Sequence, residues 1–216
     1  MRILVIDTAT QALSVALLDD GAPAGHFHQI VGRGHAEALL PAIASMPDGG
    51  RADAIAVDVG PGSFTGVRIG IAAARALALA WNIPLRGYSA LSLIAAKAAA
   101  GHGTGHQGRH EGGSLTVAIT GGHGELFWQS FSGDGLLATT PPASTAIAVL
   151  AGQIADPVLY GTGAQALVTA RGAGTAISLY PDAADYPLIA AQPPLPPSPI
   201  YCRGADAKPM AQRAAS

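Results

Sequence analysis

Asp7 and Asp58 each close a short apolar run, over residues 2–7 and 54–59, that reads as a buried strand. If both strands share a sheet, the two carboxylates come to the same sheet edge. Such a pair can hold a cation for metal-assisted phosphoryl or acyl chemistry. It can instead cap turns, each acid pairing with Arg68 or accepting from backbone N–H groups. The capping reading is favoured, because Ala9 stands in the first turn where close approach to a phosphate calls for glycine. Directly after Asp58 comes Val59-Gly60-Pro61-Gly62-Ser63-Phe64-Thr65-Gly66-Val67-Arg68-Ile69-Gly70. It reads as a sharp turn that opens a helix, with Ser63 or Thr65 as the N-cap. A helix start presents free N–H groups that suit an anion. No Lys-Ser/Thr follows, so the loop is not a P-loop, and a dinucleotide turn would follow the first strand. Tight strand-to-helix packing and ligand binding both remain open at this point.

Other chemistry-bearing residues are sparse. His102, His106 and His110 recur every fourth residue, as metal ligands on a helix would, but the surrounding glycines disfavour that helix. His26 and His28 read as solvated strand residues, and His35 as structural or close to a partner surface. Cys202 has no evident activator beside it. No nucleophile–base pair is visible, so catalytic residues are expected to be none and a metal site in this chain none.

The elements that position these residues follow from pattern. The chain has 216 residues, is 49% hydrophobic and 12% charged, and carries a net charge of −2. A substantial core is expected, and a free-standing nucleic-acid binder is not, since those carry a basic surface. A single cysteine and an N-terminus without signal-peptide layout suit a reducing, cytoplasmic setting. The helix over residues 66–81 is apolar but short of a membrane span and carries Arg68 and Arg75, so no membrane is expected. The periodicity predicts strands at 2–7, 12–18 and 25–31, a helix from Gly34, a strand at 54–59, the 66–81 helix, a strand at 85–88, and a helix capped by Ser89. Pro41 should kink the first helix or lie in its first turn. After a Gly/His-rich stretch the same order recurs: strands at 114–120, 125–131 and 136–139, a helix near 145–153, a strand at 157–160, a helix near 164–171 and a last strand at 176–180. The segments are a first lobe over 1–100, a linker or insertion over 101–113, a reduced second lobe over 114–190, and a Pro-rich segment and tail over 191–216 that returns to the first lobe.

Two copies of a three-stranded meander with crossover helices resemble the duplicated ribonuclease-H-like α/β architecture of actin, Hsp70 and sugar kinases (the ASKHA fold), here with a reduced second lobe. In that fold a nucleotide lies between the lobes, and the turn after the first strand, Asp7-Thr8-Ala9-Thr10 in this chain, approaches its phosphates. Candidate nucleotide or anion contacts are therefore Asp7, Thr10, Gly60, Gly62, Ser63 and Thr65. Gly161-Thr162-Gly163 resembles an adenosine-contacting turn and equally a plain loop.

Ile6-Asp7-Thr8-Ala9-Thr10, Gly34-His35-Ala36-Glu37 with Leu39-Leu40-Pro41, the glycine loop from Gly60 to Gly70, and Tyr88-Ser89-Ala90-Leu91 resemble the TsaB (YeaZ) family. The family is a non-catalytic partner of TsaD, which transfers threonylcarbamoyl from its adenylate to adenosine 37 of tRNAs reading ANN codons. The resemblance implies TsaD and the ATPase TsaE as partners, a homodimer as an alternative pairing, and tRNA reached through the complex. It implies no tightly bound cofactor, ATP or ADP at the complex interface, and the metal in TsaD. The second half departs from the family at Thr120-Gly121-Gly122-His123, where an acid and an arginine are missing.

The expected partner face combines His35, Leu39, Leu40 and Ile43 of the first helix with Gly66, Arg68, Gly70, Ala73, Ala74 and Leu77 of the second. Small side chains there would let another helix approach. A small phosphotransferase of the same superfold is the alternative from another class. A metallopeptidase finds no His-Glu-x-x-His or comparable ligand set.

Overall fold

The alternating apolar faces of the first five strands build one sheet, with β1 (Arg2–Asp7), β2 (Ala12–Asp19), β3 (Ala22–Ile30), β4 (Ala54–Asp58) and β5 (Leu85–Tyr88) in the order β3-β2-β1-β4-β5. This computed structural model describes residues 1–102 and 113–202. His106, His110, Arg203 and most of the Gly/His-rich stretch lie outside them. β1, β2 and β3 form an antiparallel meander, and β4 and β5 run parallel to β1. Asp20 and Gly21 both take positive φ at the β2–β3 turn, as a two-residue hairpin requires.

The second sheet repeats this wiring. β6 (Ser114–Gly122), β7 (Glu125–Ser132), β8 (Ala143–Ala146), β9 (Val158–Tyr160) and β10 (Thr175–Ile177) lie in the order β8-β7-β6-β9-β10. The first three are again antiparallel and the last two parallel to β6. The same connectivity twice is the duplicated ribonuclease-H-like fold.

Five helices layer the sheets: α1 (His35–Ala44), α2 (Phe64–Trp81), α3 (Ala90–Ala99), α4 (Ile147–Ala151) and α5 (Ala164–Arg171). Alternation along β1 sends Leu4 and Ile6 to the face under α1 and α2, and Ile3 and Val5 to the face under α3. α3 is apolar nearly all round, and it packs on both sheets. Leu93 and Ala96 join the core of the first, while Leu91, Ile94, Ala95 and Ala98 join Leu115, Val117, Phe127 and Phe131 of the second. α4 and α5 cover the outer face of the second sheet.

Several expectations shift. Residues 136–139 make only an isolated bridge, Phe131 to Ala138, and the third strand of the meander is Ala143–Ala146. Pro141 and Pro142 lack the N–H groups a ladder uses, so pairing resumes only after them. Pro41 lies inside α1 rather than in its first turn. Ser89 makes no side-chain cap; the N–H of Ala90 is taken by Asp58 from across the sheet edge. The chain returns to the first lobe by Asp182, ahead of residue 190. A 3-10 segment, Ala183–Ile189, packs Ala183, Tyr186 and Ile189 onto the first sheet. The proline-rich segment then lies along the free edge of β5, where Gly87 and Leu195 exchange two backbone hydrogen bonds of 2.7 and 2.9 Å.

The small residues of α2 are explained by the chain's own packing. A Cβ on Gly66 would stand 2.1 Å from the Thr8 carbonyl oxygen, and one on Gly70 would stand 2.4 Å from Thr8 Oγ1. Thr8 Oγ1 donates to the Gly66 carbonyl at 2.8 Å, which pins α2 to the turn after β1. Gly66→Ala should therefore lower stability by about 1–3 kcal/mol through overpacking. Urea denaturation checks this; an unchanged midpoint would mean that α2 can slide away from Thr8.

Candidate functional site

Strands β1, β4 and β5 are parallel neighbours, so their C-terminal ends bring Asp7, Asp58 and Tyr88 to one edge. All three are buried. Asp58 Oδ1 accepts from the N–H of Gly60 and of Ala90, each at 2.9 Å, and its Oδ2 has no partner among the described residues. Asp7 Oδ1 accepts from the Ala9 N–H at 3.2 Å, and Oδ2 from the Tyr88 hydroxyl at 3.2 Å. Burial pushes the Asp7 carboxyl up to about 7. Burial first, and then the charge of Asp7, pushes Asp58 well above the usual carboxylate range. The acids therefore pair with backbone N–H groups, and Arg68 takes no part. Its guanidinium donates to the Tyr201 hydroxyl at 3.0 and 2.9 Å and lies 3.7 Å from the centre of the Phe64 ring.

The glycine loop folds back on the turn after β1. The N–H of Ser63 donates to the Ala9 carbonyl at 2.7 Å, and a Cβ on Gly62 would stand 2.4 Å from that same oxygen. Gly60 has φ +93°, which favours glycine. Ser63 Oγ caps α2 by accepting from Gly66 at 3.2 Å. Of the candidate anion contacts, Asp7, Thr10 and Gly60 are buried, Gly62 is half-buried, and Ser63 and Thr65 are exposed. Thr10 Oγ1 accepts from the Ala12 N–H. The loop is a clasp between strand and helix. The second lobe repeats it: Gly163 donates to the Ala118 carbonyl at 2.9 Å, and a Cβ on Gly161 would stand 2.4 Å from that oxygen.

The expected partner face divides in two. His35, Leu39, Ile43, Gly66, Gly70 and Ala74 point inward and are buried in the chain's own core. His35 Nε2 lies 3.3 Å from the Ala12 carbonyl. Ala73 and Leu77 are half-buried, and Leu40 and Arg68 are exposed. The outward side of α1 and α2 is still apolar, because Ala36, Ala72, Ala76 and Ala80 lie there beside Leu40, Phe64 and Leu79, which are 55%, 59% and 84% exposed. By length and composition α2 could cross a membrane, and 33% of it is buried. Sequence reasoning missed Phe64 and Leu79, because small residues such as Gly66 and Gly70 suit a partner helix as well as they suit the chain's own turn.

Residues 24–153 match the family described as TsaD: tRNA N6-adenosine threonylcarbamoyltransferase. The tRNA threonylcarbamoyladenosine biosynthesis protein TsaB of Escherichia coli is 39% identical over 142 residues, covering 62% of this chain. YeaZ from Pseudomonas aeruginosa superposes with a TM-score of 0.73 at 26% identity, over 93% of this chain and 99% of that one. The chain belongs to the TsaB (YeaZ) family.

An uncharacterized protein of Mycobacterium tuberculosis is 30% identical over 220 residues, 97% of this chain and 95% of its own length. The matched part spans about half the length of the curated TsaB relatives, 56% for Escherichia coli and 53% for Bacillus subtilis. Those relatives are named for tRNA threonylcarbamoyladenosine biosynthesis. In this TsaB-family chain the edge that carries Asp58 is tied to the glycine loop and to α3 by hydrogen bonds.

Asp58→Ala should cost about 2–4 kcal/mol, since it leaves two buried N–H donors without an acceptor; chemical denaturation measures it. Asp7 binds its proton more tightly in the folded chain than at the unfolded value of about 3.9. Its linkage therefore stabilises below pH 4 and is lost as pH rises through about 7. Wild type should lose stability relative to Asp7→Asn between pH 4 and 7.5. Parallel stability curves for the two proteins would contradict that assignment.

Proposed function

We propose that this chain is a non-catalytic subunit of a tRNA threonylcarbamoyladenosine (t6A37) synthesis assembly, which binds and stabilises TsaD in the cytoplasm. TsaD, in this reading, holds the metal and transfers threonylcarbamoyl to A37 of ANN-decoding tRNAs. TsaE joins the assembly, ATP or ADP sits at the complex interface, and tRNA is reached through the complex. The observation that carries the reading is the outward side of α1 and α2, where Leu40 and Leu79 are exposed among alanines on the lobe with the family's motifs. Exposed apolar surface of this kind marks an association site. The match of residues 24–153 to the TsaD description supports a partner of like fold. Like folds can pair through equivalent faces, which also accounts for a homodimer as the resting form. The closed edge around Asp7 and Asp58 supports a supporting role over phosphotransfer.

Leu79→Glu tests this. Leu79 is 84% exposed, so the substitution should leave stability within about 0.5 kcal/mol. It should weaken association with TsaD at least about tenfold, since a charge is buried at the contact. Titration calorimetry with purified TsaD reads the change. Wild-type affinity in Leu79→Glu would remove α2 from the interface, and ATP turnover by the isolated chain would favour the phosphotransferase reading instead.

A further inference from the structure

On the outer strand of the first sheet His26 and His28 stand two residues apart, so both rings leave the same face of β3. The residue they meet is Asp182, 156 positions beyond His26, where the chain returns from the second lobe. His26 Nε2 lies 2.7 Å from Asp182 Oδ1, and His28 Nδ1 lies 3.7 Å from Oδ2. The three donor atoms fall within 4.8 Å of one another, and the ring centroids are 6.2 Å apart. Both histidines are exposed strand residues, as expected, and a distant segment adds their carboxylate partner.

The spacing has chemical content. Two ligands of a tetrahedral zinc ion, each at about 2.0–2.1 Å from it, stand about 3.3 Å apart. The 3.7 Å between His28 and Asp182 is too long for a hydrogen bond and about 0.4 Å from that ligand spacing. The His26 contact is a direct hydrogen bond that would open by about 0.6 Å. Asp182 is already oriented. Its Oδ1 accepts from the Ala184 N–H at 3.0 Å and from the hydroxyl of buried Ser14 at 3.2 Å, and Ser14 Oγ accepts from the Ala183 N–H at 2.9 Å. Hydrogen bonds of this kind fix a ligating carboxylate. The side chains of His26, His28 and Asp182 are 39%, 26% and 18% exposed, so an ion can enter from solvent. Nearby, Asp185 is occupied by Lys97 and His102, each at 2.9 Å.

We propose that His26 Nε2, His28 Nδ1 and the Asp182 carboxylate form a binding site for a divalent transition-metal ion of the zinc class, and that the bound ion staples the returning 182–189 segment to the outer strand of the first sheet. Two imidazoles and one carboxylate suit zinc and disfavour magnesium or calcium, which take oxygen ligands. His26 then carries its remaining proton on Nδ1 and His28 on Nε2. Three protein ligands leave a fourth position for water. The site stands apart from the helical face, and its fate does not depend on TsaD binding.

The test is titration of Zn²⁺ into the metal-free full chain at pH 7.5, read by calorimetry and by melting temperature. One ion per chain should bind, and the melting temperature should rise by about 5 °C or more with zinc at a hundredfold over its Kd. The His26→Gln/His28→Gln double variant should lose that rise and at least about a hundredfold in affinity. Asp182→Asn, which keeps an oxygen for Ala184 and Ser14, should lose at least about tenfold. A His102→Gln/His106→Gln/His110→Gln variant should bind as wild type does. Binding that survives the double variant, binding that disappears in the triple variant, an equal shift with Mg²⁺, or no binding at all would each overturn the proposal.

Discussion

The buried Asp58 carboxylate is the joint on which the two lobes depend. One oxygen holds both the Gly60 N–H that begins the glycine loop and the Ala90 N–H that begins α3. α3 is the helix on which both sheets pack, so its start and direction set where the second lobe sits. The arrangement buries Asp58 next to Asp7 and leaves one oxygen unpartnered among the described residues, which is why both carboxyls are held toward their protonated forms.

The duplication is physical as well as topological. In each lobe a strand of the parallel half ends in a glycine turn that closes onto the end of the lobe's first strand. Gly62 and Ser63 close on Ala9 in the first lobe, and Gly161 and Gly163 close on Ala118 in the second. A side chain at these glycines would collide with backbone, so the residue type is dictated by close approach. A clasp made this way ties the glycine loop of the first lobe to the turn after β1.

That surface follows from composition. α2 is alanine-rich and mostly apolar, with Arg68 and Arg75 exposed, and a sheet can cover only one side of a helix. Gly66, Gly70 and Ala74 are small so that α2 can sit close to Thr8 and the sheet, and the remaining apolar residues are left outward. The chain's return path reinforces this face at its rim, where Arg68 is held by Tyr201 and Arg75 by the Pro197 carbonyl.

Much of this was legible before any coordinates. Strand and helix order, an N-cap at Ser63 or Thr65 and the duplicated wiring are written in local periodicity and turn chemistry, which act over a few residues. The family resemblance rests on motifs of the same short range. What local pattern could not decide is phase and distance. Arg68 and Arg75 mark the outward side of α2, but small residues such as Gly66, Gly70 and Ala74 suit a partner helix as well as the chain's own turn, so six of the ten expected interface residues lie in the core. Ser89 looked like a cap, but the acceptor came from Asp58, 32 positions earlier in the chain. The third strand of the second sheet moved past Pro141 and Pro142 because ladder pairing depends on a partner strand as well as on propensity. His26 and His28 acquired Asp182 only because the chain crosses back over the first sheet. The sequence by itself determined the elements, their order and the family; the tertiary structure alone decided which faces are covered, since burial is a contest between distant segments that no short window of residues records.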